Sequence, residues 1–351
     1  MRLVVLFGGQ SAEHDVSRVT ARHVLAAADP DRYDIVPVGI TRQGEWVQAE
    51  AAIAALAAGV DALPDRLEVA GPPFDPLPSL DQAGGPVVVL PLLHGPMGED
   101  GTVQGLLELA DLPYVGSGVV GSAVAMDKVM MKRAFASAGL PYARTVDFRD
   151  GHDRAALAAQ VEAELGYPCF VKPANLGSSV GVSKARDRAG FDAAVDLALS
   201  YDEWIVVEEA ITGREIELAV LGDDPPTVSV AGEIVPGDDF YSYADKYEAD
   251  DAQLLVPAPL TDEQLAEAQL LACRAFEACR CEAMARVDLF LAEDGTFLVN
   301  EVNTIPGFTP ISMYPRLWEA TGVPYSELLD RLIDLALARH ARRAARAGRQ
   351  R

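Results

Sequence analysis

Cysteine is scarce, with four residues in 351: Cys169, Cys273, Cys279 and Cys281. Their spacing fits neither a C-x-x-C zinc pair nor a disulfide framework, so buried, reduced thiols are the expectation. Positive charge is also short. The 29 Lys and Arg stand against 53 Asp and Glu, a net charge of −24. Such acidity repels a polyphosphate backbone and argues against a nucleic-acid partner. Long apolar runs are missing too. Residues 3–7 are apolar but give way at once to Gly8-Gly9, too short a run for a signal core or a membrane span. A cytoplasmic protein with no membrane partner is expected. A Walker A loop is absent as well, since G-x-x-x-x-G-K-[ST] occurs nowhere.

What is present reads as an ordinary α/β protein, 50 % hydrophobic and 23 % charged, and long enough for two or three domains. Residues 1–116 alternate buried-strand signals (3–7, 35–38, 87–93) with helical spacing. Val16, Val19, His23, Val24 and Ala27 mark a first helix with Ser11 or Asp15 available as cap, and a second runs near 103–110. That βαβ grammar predicts a parallel sheet covered on both faces, with residues 71–86 as a surface connection. Residues 117–208 predict a second unit: helix 126–138, strand 142–146, helix 155–165, a hairpin (169–172 and 180–183) around a Gly/Ser loop, helix 191–199 and strand 204–207. Residues 209–340 form a third, with a polar loop at 237–251, a long helix near 262–279, a hairpin and a C-terminal helix. Six arginines lie between Arg339 and Arg351; residues 341–351 are expected to be a disordered, solvated tail. No internal repeat is found.

The most informative segment surrounds Asp294-Gly295, a two-residue hairpin signal. A turn there sets Asp288 opposite Glu301 and Arg286 opposite Asn303, all on one face. Facing carboxylates repel unless a cation sits between them. Two carboxylates and an amide, with no His or Cys, are hard oxygen donors suited to Mg²⁺ or Mn²⁺. A solvated charge ladder is the plainer alternative. Lys172, followed by the loop Gly177-Ser178-Ser179-Val180-Gly181, offers an anion cradle or a simple hairpin turn. Glu13 follows the first strand, facing the ligand crevice of an open sheet or merely complementing a helix dipole. His94-Gly95, with Gly98-Glu99-Asp100-Gly101 behind it, reaches the same edge. Gly116-x-Gly118-x-x-Gly121 matches a dinucleotide fingerprint but lacks the acid some ~20 residues on, so it reads as a helix-entry turn. Lys246 and Tyr247 sit in a long loop that is either a lid or surface decoration.

Taken together, LFGGQSAEHDVS, LHGPMGEDGTVQG, LPYVGSGVVGSAVAMDK, FVKPANLGSSVGVSK, YADKY, ARVDLFL and NEVNTIPGFTPISMYP resemble the D-alanine–D-alanine ligases of the ATP-grasp superfamily. The resemblance runs from Met1 to about Leu337. It implies an ATP-grasp fold: an N-terminal Rossmann-like domain (1–116) and two α+β lobes clasping ATP (117–208 and 209–340). It implies two Mg²⁺ (or Mn²⁺) ions on Asp288, Glu301 and Asn303. Lys128, Lys172 and Ser179 would bind phosphates, with Lys246 closing on the γ-phosphate. Adenine would lie near Glu208, Glu209, Ala210 and Ile211, with Glu215 on the ribose. Glu13, linked to Ser178 and Tyr247, would hold the first D-alanine's ammonium, with His94 nearby. Arg286 and the Gly307 backbone would stabilise an oxyanion, and Ser312 would grip the second substrate's carboxylate.

The implied reaction joins two D-alanines through an acyl phosphate, in a cytoplasmic homodimer serving peptidoglycan synthesis. Two departures stand out. Asn175-Leu176 occupies the place of a charged pair in many members, and Glu209 that of a common lysine. Tyr247 argues for an amine as second substrate over the D-lactate branch. A nucleotide-sensing module without turnover is the more distant reading.

Overall fold

The computed structural model describes residues 1–76, 85–235 and 253–346. The unalternated apolar run at the N-terminus becomes β1 (Arg2–Gly8), paired in parallel with β2 (Asp34–Ile40) and β4 (Val87–Pro91). A strand apolar on both sides needs cover on both sides. One face of this sheet packs on α1 (His14–Ala27), the other on α3 (Thr102–Leu109) through Val103 and Leu107. The sheet is not wholly parallel as expected: β3 (Trp46–Gln48) runs antiparallel on its edge, ahead of α2 (Glu50–Ala58). Neither Ser11 nor Asp15 caps α1. Glu13 holds the N-cap position without a side-chain cap bond, Ser11 Oγ accepts from the Glu13 N–H (3.2 Å), and Asp15 pairs with Arg18 (2.9 Å).

The second sheet contains β5 (Thr145–Arg149), β6 (Cys169–Pro173), β7 (Ser183–Ala185) and β8 (Trp204–Glu209) in the order β5-β8-β6-β7, all antiparallel. It is accompanied by α4 (Val119–Met126), α5 (Lys128–Ser137), α6 (Arg154–Glu164) and α7 (Arg188–Leu199). Gly118 is the N-cap residue of α4, so the G-x-G-x-x-G match is indeed a helix entry. A Cβ on Gly121 would come within 2.5 Å of the Arg280 carbonyl oxygen, so its glycine serves a close backbone approach. The strand expected at 142–146 starts later because its first residues join the third sheet instead: Tyr142 bridges Val299, whose N–H donates to the Pro141 carbonyl (2.8 Å).

The third sheet follows the order β11-β10-β9-β12-β13, from β9 (Gly213–Gly222), β10 (Thr227–Val235), β11 (Gln253–Leu255), β12 (Ala283–Ala292) and β13 (Phe297–Asn303). Helix α8 (Asp262–Ala278) starts in a Thr261/Gln264 capping box and buries Ala268, Leu271, Ala272, Ala275 and Phe276 in the core shared with this sheet. Then come α9 (Met313–Ala320) and α10 (Tyr325–Ala344).

Helix α10 corrects the reading of the basic tail. Its Leu328, Leu329, Leu332, Ile333 and Ala336 share a core with β1 and α1 of the first sheet, each large aliphatic contributing about 1.5–3 kcal/mol on burial. The helix runs into the expected tail as far as Ala344, residues 347–351 lying outside the described residues, and its arginines have partners. Buried Arg339 donates to the carbonyls of Gly116 and Tyr114 and lies 4.5 Å over the Tyr114 ring; Arg342 pairs with Asp223, and Arg343 with Glu108 and Glu282. Cys169, Cys279 and Cys281 are buried free thiols, whereas Cys273 is half-exposed on α8. Among the described residues, no helix is long and apolar enough to cross a membrane.

Candidate active site

The β12–β13 ribbon has the expected pairs for a reason the sequence did not disclose. Ala292 and Thr296 close a three-residue loop with Gly295 at φ 88°, so Leu291 faces Phe297 and the register beside the turn is one residue off the two-residue expectation. A bulge then inserts Asn300 opposite no partner and shifts the register back, giving Asp288 opposite Glu301 and Arg286 opposite Asn303. Without it Glu301 would alternate with Phe297 and Val299 into the core. Bulges favour sheet edges, where β13 lies.

On the face so formed, Arg286 grips both oxygens of Asp288 (2.7 Å each) and reaches Glu217 on β9 (3.2 Å). Burial opposes the guanidinium's charge, but Asp288 and Glu217 outweigh it and hold its pKa well above the ordinary arginine value. Asn303 Nδ2 donates to Asp288 (2.9 Å). A rotation of that amide presents its oxygen, so Asp288, Glu301 and Asn303 fit a hard divalent cation with two carboxylates and one amide. Among the described residues no set of three or more His, Cys, Asp or Glu side chains forms a metal cluster.

Opposite stands a cationic group. Lys128 opens α5, donates to the Leu176 carbonyl (2.5 Å) and feels Glu301 first and then Glu208, while Lys172, next to last in β6, contacts Glu208, next to last in β8. Glu208 pairs with Lys172 (2.6 Å) and Lys132 (3.2 Å). Burial would raise its pKa, yet the two ammonium groups depress it to about 2. Burial lowers the pKa values of Lys128 and Lys132; for Lys172 burial acts the same way, but Glu208 prevails and the value is raised. Glu209 instead receives hydrogen bonds from the Arg144 N–H and Nε (2.7 Å each). Ala210 and Ile211 follow in the half-buried connection to β9, where Glu215 acts electrostatically on Lys172.

A third cluster joins the first sheet to the glycine loop. Ser178 Oγ donates to Glu13 Oε1, which explains why that carboxylate leaves its helix end uncapped. Ser178 and Ser179 are consecutive left-handed residues (φ 50° and 58°), backbone strain of the kind that gathers at functional sites. A Cβ on Gly177 would lie 3.2 Å from Glu13 Oε2 and 3.6 Å from Glu99 Oε1, so the loop's backbone comes close to both carboxylates. Glu99 accepts from the Gly95 N–H (2.9 Å); burial, then the Glu13 carboxylate, push its pKa up to about 8. His94 Nδ1 faces the Ile305 carbonyl (3.1 Å), and its buried Nε2 has no partner among the described residues. A proton on Nδ1 leaves Nε2 an acceptor. Gly307 approaches Ser312, whose Oγ accepts from the Thr309 N–H (3.1 Å) at the start of α9. Lys246 and Tyr247 lie outside the described residues.

Two family models match the chain: "D-ala D-ala ligase N-terminus" over residues 2–117 and "D-ala D-ala ligase C-terminus" over residues 134–334. The chain belongs to the D-alanine–D-alanine ligase family. A curated relative from Geobacillus thermodenitrificans, named D-alanine--D-alanine ligase, is 50 % identical over 97 % of this chain and 96 % of its own. A namesake from Bacillus licheniformis shows the same identity and the same two coverages. Among solved structures, the D-alanine-D-alanine ligase from Coxiella burnetii aligns with TM-score 0.83 at 36 % identity, covering 98 % of this chain and 95 % of that one. The VanG D-Ala:D-Ser ligase from Enterococcus faecalis aligns with TM-score 0.81 at 35 % identity, covering 96 % and 99 %. The architecture is accordingly the ATP-grasp fold of this ligase family.

Sequence reasoning missed Lys132 and Glu217, and named Glu99 only within the stretch behind His94-Gly95, with no role of its own. Lys132 had a signal: it lies four residues after Lys128 and shares its helix face. Glu217 had only the alternation of β9, and Glu99 only its glycine-rich neighbours.

Proposed function

We propose that this chain joins two D-alanine molecules at the expense of ATP, giving D-alanyl-D-alanine, ADP and phosphate for peptidoglycan precursors. The observation carrying this reading is a pair of facing charge clusters: buried Lys128 and Lys132 and half-buried Lys172 around Glu208, and Asp288 and Glu301 of the ribbon with Glu217 of β9 around Arg286. Such a pair suits a triphosphate that carries divalent metal. Family membership agrees with it.

In this mechanism, Glu13 holds the ammonium of the first D-alanine, tied through Ser178 to the glycine loop and through Tyr247 to the 237–251 lid, with His94 alongside. Lys128, Lys172 and Ser179 hold phosphate oxygens, and Lys246 reaches the γ-phosphate. Adenine occupies the connection at residues 208–211, with Glu215 toward the ribose. Asp288, Glu301 and Asn303 hold two divalent ions, Mg²⁺ or Mn²⁺, whose charge when bound offsets that of the phosphates. The first carboxylate oxygen attacks the γ-phosphorus and ADP leaves. The second D-alanine's amine then attacks the acyl carbon, expelling phosphate, while Arg286 and the Gly307 N–H stabilise the oxyanion and Ser312 holds the second carboxylate. Exclusion of water by the lid protects the acyl phosphate. The division of labour runs over domains 1–116, 117–208 and 209–340, in a cytoplasmic homodimer.

The test is phosphate release with ATP and Mg²⁺. D-alanine alone is expected to stimulate it and yield the dipeptide. Stimulation only by mixtures of D-alanine with D-serine or D-lactate would move the second-substrate assignment; nucleotide binding without any turnover would replace the enzyme by a sensor.

A further inference from the structure

One buried side chain ties the two charge clusters together. Lys132 stands in the middle of α5, 3 % exposed. Its Nζ lies 3.2 Å from Glu208 Oε1 and donates to the main-chain oxygen of Asn300 at 2.8 Å. Glu208 is the next-to-last residue of β8, the strand that leads to the nucleotide connection. Asn300 is the inserted residue of the bulge, the one whose presence turns Glu301 toward Asp288. The bulged residue has no partner across the ladder, so its carbonyl is a group whose satisfaction must come from elsewhere. A buried ammonium supplies it.

We propose that Lys132 is a positioning residue for the metal–nucleotide site: by bridging the Glu208 carboxylate and the Asn300 carbonyl, it fixes the bulge that orients Glu301 and locks the metal-bearing ribbon to the nucleotide-bearing strand. It touches no reacting atom in this reading. The inference rests on the assignment of Asp288, Glu301 and Asn303 to divalent metal and of Glu208 to the nucleotide side. The geometry gives it two independent arms. The arm to Asn300 acts on metal, through the register of Glu301. The arm to Glu208 acts on nucleotide, since without Lys132 the carboxylate leans on its other ion-pair partner, Lys172, and draws that lysine away from phosphate. Lys172 already sits 2.6 Å from Glu208, so the competition is built in.

The three arrangements Lys132→Met, Lys132→Gln and Lys132→Arg separate these arms. The methionine keeps the volume and removes both bonds. Glutamine keeps a donor for the Asn300 carbonyl but no charge for Glu208. Arginine keeps both. The readout is Mn²⁺ binding in the presence of ADP, measured by the electron paramagnetic resonance of free Mn²⁺, alongside KM for ATP and for D-alanine, with circular dichroism and thermal unfolding on every variant. Partners in the outer shell of a metal site typically contribute about 10- to 100-fold in metal affinity. Lys132→Met is therefore expected to weaken Mn²⁺ binding and raise KM for ATP by about tenfold or more, with KM for D-alanine within about twofold. Lys132→Gln is expected to recover Mn²⁺ binding in larger part than KM for ATP, and Lys132→Arg to recover both.

Asn300→Ala, which keeps the carbonyl and removes only the side chain, is expected to bind Mn²⁺ as the parent does. A folded Lys132→Met protein with parental Mn²⁺ affinity overturns the proposal. So does a uniform loss, in which Mn²⁺, ATP and D-alanine weaken together with the unfolding temperature and arginine restores none of them, because that pattern belongs to a purely structural lysine. If the methionine variant does not fold, the glutamine and arginine variants decide. Failure of the parent to form the dipeptide would remove the ligase assignment, yet Mn²⁺–ADP binding would still read the role of Lys132.

Discussion

The two walls of the site are built with opposite surpluses. In the central lobe, buried Lys128 and Lys132 and half-buried Lys172 gather around Glu208, and this wall by itself carries more positive than negative groups, with Glu301 of the opposite wall acting on all three. On the third sheet, Asp288 and Glu301 of the ribbon and Glu217 of β9 surround Arg286, and this wall by itself carries more negative than positive groups. Each wall is a poor arrangement by itself, since a buried charge without compensation costs several kcal/mol. Each becomes reasonable if something of opposite sign arrives: a triphosphate for the lysines, divalent metal for the carboxylates. The contrast teaches that neither wall is there for stability. Lys132 reaches both walls, pairing with the Glu208 carboxylate on one and donating to the Asn300 carbonyl on the other.

Removing charge from the acidic wall should break the comparison most. Asp288→Asn keeps the size and leaves an amide beside Arg286, but withdraws a carboxylate from the cation. Phosphate release is expected to fall on the order of 10²–10³-fold or more, with ADP binding in the absence of metal little changed. Parental turnover in this variant would mean that the ribbon face is no metal site.

On the cationic wall, the effect should appear in stability as well as in nucleotide binding. Glu208→Gln takes from buried Lys132 and half-buried Lys172 the carboxylate that both contact, leaving them to Glu301 and, for Lys172, Glu215, and unfolding free energy at pH 7 is expected to fall by about 3–5 kcal/mol. The sign of the pH dependence follows from a pKa depressed from 4.5 to about 2. The carboxylate's stabilisation is complete above about pH 4.5 and is lost as pH falls toward 2. Urea titrations of parent and variant should therefore differ fully at neutral pH and converge in acid. A gap that persists unchanged at pH 2 would remove the ion pair as its cause.

How the two walls could be read from the sequence differs just as much. The acidic wall was legible because strand alternation makes an explicit geometric claim, that Asp288 and Glu301 share a face. The claim holds through two compensating departures, the three-residue loop at Gly295 and the bulge at Asn300. Single-strand patterns carry no trace of either, because a bulge on an edge strand is settled by what reaches it from another element, here Lys132. The cationic wall was visible only in part. Lys128 and Lys172 stand in motifs, whereas Lys132 lies on a helix whose burial depends on how two lobes pack. Helix α10 shows the same limit. Its arginines look like a solvated tail until Gly116, Tyr114, Asp223 and Glu282 come to meet them. The parallel core of the first sheet, by contrast, followed from its unalternated apolar strands alone.

Between the walls lies the Glu13–Ser178 contact, and its loss sharpens the contrast by sparing both of them. Ser178→Ala removes one hydrogen bond to a carboxylate, worth about 1.5–3 kcal/mol. KM for D-alanine is expected to rise about 10- to 100-fold while KM for ATP moves by less than about twofold. Equal effects on the two constants would assign Ser178 to the phosphate cradle instead.

Glu99 should give the smallest change at neutral pH, and an informative one. Its carboxyl is held protonated up to about pH 8, first by burial and then by the neighbouring Glu13. Glutamine closely mimics a protonated glutamic acid, so Glu99→Gln is expected to leave dipeptide synthesis at pH 6–7 within about twofold. The difference belongs to the pH profile of stability. Because the folded-state pKa lies above the ordinary 4.5, the contribution is intact below that value and is lost progressively as pH rises to about 8, where the unfolded chain has long been ionised. Parent and variant should thus unfold alike near pH 4, and the variant should be the more stable at pH 8. The same profile measured in a Glu13→Gln background separates the causes. If the parent's loss of stability with rising pH is unaltered there, burial alone raises the Glu99 pKa and the two carboxylates do not sense each other; if it shrinks, the first-substrate pocket contains a coupled pair whose repulsion an incoming ammonium would relieve.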